Sequence, residues 1–307
     1  MVKLAGAFNG AGKVAVGLSV NTIVTNNTTQ AYISGSNTAV TALGNGSGLD
    51  IATGSKNGSG DRVVGSISGV IVSAVSFEDY LSIAAAGSGA GTAAVAGSVT
   101  VSVFNETTKA FIGAGVDING TSAGAAASGV VGQNVVVQAK SHTELIDVAG
   151  AIAGGGTAGI GVGADIGVIE KNTIAYIQAD YVYAKGNVQV AAESTEELVS
   201  VAASIGGGGT AGIMGNAGVY IIDPTTRAFV GADPDAASPG NVTVIRADGS
   251  VAITAYSDTE LDVIAGNIGG GGTAGVGVAA SVVVMNKVTK AFASGNADIV
   301  GSGVSAL

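Results

Sequence analysis

The sequence predicts an all-β chain, a right-handed parallel β-solenoid (β-helix) of about five repeats of 53–79 residues joined by variable loops. Three observations predict it. One unit recurs five times without a gap. Within each unit apolar residues alternate with a period of two. The apolar mass is alanine, valine and isoleucine, with 52 glycines and only 4% aromatics, too little bulk for one rounded core.

The units align on a glycine-rich turn: Gly10–Lys13, Gly89–Thr92, Gly154–Thr157, Gly207–Thr210 and Gly270–Thr273. Blocks 1–32, 80–111, 145–176, 198–229 and 261–292 then superimpose. Each carries an alanine at one place, Ala5, Ala84, Ala149, Ala202 and Ala265, and ends in Thr-x-Ala-aromatic. Four blocks share a leader of pattern V-x-[VI]-x-A-x-S-x-x-[DE], beginning at Val70, Val135, Val188 and Val251. The repeat cores are therefore 1–32, 70–111, 135–176, 188–229 and 251–292, in a single repetitive segment spanning 1–307. Segments 33–69, 112–134, 177–187 and 230–250 are expected to be loops. Since Met1 begins at a block and no capping repeat is visible, the segment is expected to be excised from a longer protein.

Alternation of β-branched residues on one side means strand, because side chains of a pleat project to opposite faces. In the leader, Val188, Val190 and Ala192 are apolar at even numbers. After Ser194-Thr195-Glu196 the apolar phase moves to Val199, Val201, Ala203 and Ile205. A slip of one residue flips every side chain, so a corner is expected there. The unit then reads as short strand, corner, long strand, glycine turn, long strand, polar turn, and a short strand bearing the aromatic. The polar turn holds Asn26, Asn105, Glu170, Asp223 and Asn286. The aromatic column Tyr32, Phe111, Tyr176, Phe229 and Phe292 is expected to form an in-register structural ladder in a thin core. One unit per coil is the favoured arithmetic; three coils of about 20 residues per unit is the alternative.

Composition excludes several classes. With 11% charged residues and 47% hydrophobic, the chain is not of the disordered type. No cysteine means no disulfide scaffold. A net charge of −10 argues against a nucleic-acid partner.

The recurrent A-[IG]-x-G-G-G-T-A-G-[IV]-G-V, followed by N-x-T-x-A-[FY]-[IV], resembles the repeats of large secreted bacterial exoproteins. These are the filamentous-haemagglutinin-like, adhesin-type β-helix proteins, including large repetitive leukotoxins. The resemblance covers nearly the whole chain. It implies a shaft exported to the cell surface or beyond, and no catalytic site.

Candidate chemistry is sparse. Gly206–Gly209 and Gly269–Gly272 lack the Lys-Ser or Lys-Thr and the helix of a phosphate loop, and read as tight turns in which glycine tolerates positive φ. Asp79, Glu144, Glu197 and Glu260 recur at one corner and are weak cation candidates, since calcium needs six to eight oxygens. Gly58-Ser59-Gly60-Asp61 is a single fragment of a calcium-binding nonapeptide. His142, the one histidine, reads as a surface imidazole. The acids fall mainly at corners and in loops, which does not suit a polysaccharide-active enzyme. The column Thr29, Thr108, Thr173, Thr226 and Thr289 is one file wide, too narrow for an ice-binding array. The face of Ala149, Ala151, Gly161 and Gly163 suits close sheet-to-sheet packing between molecules. Uncharged stretches 81–104, 198–222 and 263–286 have a period of two and central glycines, and read as solenoid hairpins rather than membrane spans.

The expected function is structural and adhesive: a self-associating or surface-presenting stalk of an extracellular bacterial fibre, not an enzyme, and without cofactor. Expected partners are further copies, end to end or laterally, and a host or neighbouring cell surface, with no small-molecule substrate. The alternatives are a passenger of a secreted toxin or membrane-inserting protein and, third, a polysaccharide-active β-helix enzyme.

Overall fold

The structure is a computed structural model that describes residues 1–59, 62–121, 124–125, 130, 132–233 and 242–306. Its β-branched, proline-poor chain forms an all-β parallel solenoid in which one unit is one coil. The first sheet stacks Val2–Ala11, Gly69–Ala90, Asn134–Gly155, Val188–Gly208, Ser250–Gly271 and Gly303–Ala306 in that order. The second stacks Val14–Ile33, Ala93–Ile112, Ala158–Ile177, Ala211–Val230 and Ala274–Met285, with Val288–Ala293 continuing the last. All pairings in these sheets are parallel and in the register of the repeat: Ala5 pairs Ala84, Ala84 pairs Ala149, and Ala149 pairs Ala202. Ile146, Val199 and Asp262 share one file. The arrangement with coils of about 20 residues is excluded.

The expected corner does not exist. Asn134–Gly155 and Val188–Gly208 are single unbroken strands. In the latter Val190, Ser194, Leu198, Ala202 and Ser204 all point inward, while Val199 and Ile205 point outward. What changes at Ser194 is the side on which the apolar residues lie, not the orientation of the chain. The expected polar turn is absent in the same way. Asn26, Asn105, Glu170 and Asp223 lie on the outer face of continuous strands, and Asn286 alone stands at a break.

The expected loops hold the third side of the coil. Thr38–Val40, Val116–Ile118, Tyr181–Ala184, Thr243–Ala247 and Ala297–Val300 form a parallel third sheet. Segment 33–69 also carries an antiparallel hairpin, Leu49–Lys56 with Arg62–Ile67. Of the calcium-binding fragment, Gly60 and Asp61 lie outside the described residues.

A coil is therefore a triangle drawn out into a flat arm. In the triangle, Val135, Val137, Ile177, Val182, Val188, Val190 and Ile245 form a dry core between three sheets. In the arm the first two sheets lie face to face. There a smaller cluster of Tyr80, Phe104, Leu145, Leu198, Tyr220 and Ile222 gives way to Ala86, Ala94, Ala96, Ala151 and Ala153 towards the tip. The small-residue face is therefore internal: Ala149 and Ala151 are buried against the opposing sheet. Gly167 leaves room for the Tyr220 ring, which occupies the place a Cβ would take.

At the tip the glycines serve close stacking. None of Gly91, Gly156, Gly209 and Gly272 has a positive φ, but a Cβ on each would collide with the carbonyl of the preceding turn. That replaces the expected reason, backbone freedom, with contact between turns one coil apart. The strands of 22 residues span about 70 Å, whereas five coils stack to about 24 Å. The segment is a plate, wider than it is tall.

Candidate functional site

The outer surface of the arm carries the least expected chemistry. On the second sheet, six outward files run from Val14 to Val24 and through their partners in the other four coils. Thr22 is the one side chain among them that is not Gly, Ala, Val, Leu or Ile. Leu18 is 65% exposed, Ile213 47% and Val278 64%. The outer face of the first sheet is similar but narrower, with Leu4, Ile152, Ile205 and Ile268 exposed and Asp262 among them. Patches on a monomer rarely exceed a few hundred Å². Beyond the cluster of Tyr80, Phe104, Leu145 and Leu198 the polarity of the arm is inverted, with branched aliphatics outside and mainly serine, glycine, alanine and acids within.

The aromatic column is a ladder, but it stands on the face of the second sheet turned away from the core, running from Tyr32, 58% exposed, to a fully buried Phe229. Ring centroids from Tyr32 through Phe111, Tyr176 and Phe229 to Phe292 lie 4.9–5.1 Å apart and within 11° of parallel. The inward neighbours Ala110, Ala175 and Ala228 occupy the core instead. Lys109 Nζ sits 4.9 Å from the Phe111 centroid, and Arg227 pairs with Asp233 at 3.2 Å. A cavity of about 230 Å³ beside Tyr176 and Phe229 is lined by Lys109, Gln178, Arg227 and Asp233. The threonine column is inside: Thr108, Thr173 and Thr226 are buried.

Asp79, Glu144, Glu197 and Glu260 do form one register file, on the outer face of the first sheet. They lie mid-strand, not at a corner. His142 joins the first two: ligand atoms of Asp79, His142 and Glu144 lie within 4.8 Å of one another. His142 Nδ1 is also 2.8 Å from Thr195 Oγ1.

The interior of the arm holds acids that sequence reasoning placed at corners and in loops. Asp147 of the first sheet and Asp165 of the second face each other, both fully buried. The Tyr220 hydroxyl lies 2.9 Å from Asp165 Oδ2 and 3.2 Å from Asp147 Oδ2. Thr100 and Ser200 donate to Asp165. Burial, reinforced by the Asp165 charge, pushes the Asp147 carboxyl up from 3.8 to about 7, although Ser102, Ser82 and Tyr220 pull the other way. A second group lies nearer the triangle. Lys171 pairs with Glu196 at 3.0 Å and donates to the Thr195 carbonyl at 2.9 Å, while Thr143 donates to Glu106 at 2.6 Å. Burial raises the Glu106 carboxyl, and Lys171 opposes this. Both groups are closed to solvent, so they can fix register but cannot meet a substrate.

The missed signal was parity. Counting in twos from Val188 without a corner puts Val199 and Ile205 outside and Glu196 and Ser200 inside. Among the described residues no helix is long and apolar enough to cross a membrane. No protein-family model, curated protein or solved structure matches the chain.

Proposed function

We propose that this chain is a structural, self-associating segment of an extracellular bacterial fibre or exoprotein, and that it acts by presenting a repetitive surface rather than by catalysis. One observation carries the reading: every junction between coils is copy on copy. In Val14–Ile33 and Ala274–Met285 the strand pairs on one side only, so each presents a backbone edge suited to a coil of its own kind. Because five coils are broader than tall, elongation comes from adding coils, whether within a longer chain or between molecules. The resemblance to secreted exoprotein repeats supports the extracellular setting.

The net charge of −10 opposes end-to-end joining, and salt screens it over a Debye length of about 8 Å at physiological strength. Analytical ultracentrifugation across a salt series tests the reading. Ligand-independent species that grow with protein and salt concentration are expected. A chain that never grows beyond a closed pair at any salt overturns end-to-end assembly.

A membrane-inserting passenger is the second reading, favoured by the apolar outer faces of the arm. The buried Asp147, Asp165, Lys171 and Glu196 inside the arm count against it, since an outer-membrane-type barrel has no second sheet packed against its wall.

A further inference from the structure

We propose that the outer face of the second sheet is a lateral docking surface for the same face of a second copy, joined about a two-fold axis that runs along the strands. The proposal rests on the self-association reading above but names a different surface from the strand edges.

Area is the first argument. The six apolar files cover about 33 Å along the strands and about 24 Å across five coils, or about 800 Å². That is the share each partner contributes to a standard interface, in which about 1,600 Å² is buried in total.

Charge is the second. No ionisable group interrupts the files, so a chain of net charge −10 offers here a face without repulsion. The first sheet is the poorer candidate, because its face is narrower and Asp262 stands within it.

Shape is the third, and it selects a copy of this chain over a fluid lipid phase. One file near the middle reads Leu18, Gly97, Val162, Gly215 and Val278. Branched side chains alternate with glycines from coil to coil, and Leu18 leans over Gly97. A Cβ on Gly215 would meet nothing within 4 Å, so that hollow is empty. A two-fold axis along the strands, between the third and fourth coils, reverses coil order and keeps position along the strand. Val162 of one copy then faces Gly215 of the other, and Val278 faces Gly97. Under the same operation Val99 meets Ala280. Bulk meets a hollow at the Val162–Gly215 pair of this isologous arrangement, while in the files through Val16, Thr22 and Val24 branched side chains meet branched side chains. Overlap of four coils still buries about 1,300 Å² in total. At one rim Glu170 comes opposite Asp223 of the other copy, so salt strengthens the pairing.

The test is sedimentation equilibrium in moderate salt. The wild type is expected to form pairs of twice 29.1 kDa, and any longer fibres to appear doubled in electron micrographs. Gly215→Glu places a carboxylate opposite Val162 and is expected to weaken pairing about a hundredfold or more, because the charge is buried unpaired. Val278→Lys, at a 64% exposed position, should do the same. Gly154→Glu, on the outer face of the first sheet where a Cβ meets nothing within 4 Å, should leave pairing intact and shows that a charge on the arm is tolerated. Circular dichroism and melting verify that each variant is folded. Pairing unchanged in folded Gly215→Glu and Val278→Lys, or a wild type that stays unpaired, overturns the proposal. So does a wild type that stays monomeric in water yet floats with phosphatidylcholine vesicles while Gly215→Glu does not, which assigns the face to lipid. The two kinds of assembly fail differently. Loss of end-to-end joining leaves a species that stops at two, whereas loss of lateral docking leaves single-file fibres.

Discussion

Asp147 occupies a file in which its neighbours one coil away are Ser82 and Ser200, and it faces Asp165 and Tyr220 across the arm. Among the described residues its Oδ1 meets no hydrogen-bond partner. Because burial raises this carboxyl from 3.8 to about 7, the folded chain holds a proton that the unfolded chain releases. Its contribution to stability is therefore full below about pH 4 and is lost as pH rises through about 7. Asp147→Asn should flatten that decline and stabilise the fold at pH 8 by about 1–2 kcal/mol. Denaturant unfolding of both proteins at several pH values measures it, and parallel pH profiles would refute the assignment. Only unbroken parity from Val135 marks Asp147 as internal. Between Ile146 and Val148 it looks like the solvent side of an ordinary strand, since acids are rarely buried. Lys171, next to Glu170 and Asn172, is hidden for the same reason.

Strands of 20 to 22 residues are long for a globular protein, and their two halves obey different rules. In the triangle the apolar residues point in. In the arm beyond the Tyr80–Tyr220 cluster they point out, and the interior is built mainly from small and polar side chains. Register was legible, because recurring alanines, glycines and aromatics fix which residues stack. Facing was not, because a period-two pattern shows two faces without saying which is inside. The aromatic ladder illustrates this. Placed in a core, Tyr176→Ala would cost 2–4 kcal/mol by leaving a cavity, an estimate of about the usual size. On the face turned away from the core it loses two ring stacks of about 0.5–1.5 kcal/mol each, so a loss of about 1–3 kcal/mol is expected. Tyr220→Ala, fully buried and bonded to Asp165, should cost about 3–5 kcal/mol. Melting of the two variants side by side checks the order, and a Tyr176 variant as damaged as the Tyr220 variant would return the ladder to the core.

At the scale of the molecule, each coil touches mainly its neighbours, so whole coils should be removable. Deleting 70–134 joins Gly69 to Val135 and sets the first coil on the third. Lys3 then neighbours Asp147, and Lys171 keeps Glu196. Deleting 135–187 also preserves register, but it removes Lys171 and leaves Glu106 and Glu196 buried without a cation. The first deletion is expected to melt cooperatively as a four-coil protein, and the second to be less stable by about 3–5 kcal/mol. Equal denaturation midpoints would show that Lys171 does not hold these acids. The same large coil also sets how the molecule bears force. Neighbouring strands pair with partners 53, 63, 65 or 79 residues away, as the Lys140–Glu193, Lys185–Asp248 and Gln138–Ser73 bonds and the Ala5–Ala84 pairing show. Tension applied along the stacking direction therefore loads the ladders at one junction, while the remaining coils stay closed. Once an end coil peels away, its whole contour becomes slack at once, about 230 Å for residues 1–69 and about 190 Å for residues 251–306. The plate thus behaves as a wound tether that lengthens in discrete steps, each absorbing work before the next coil is strained.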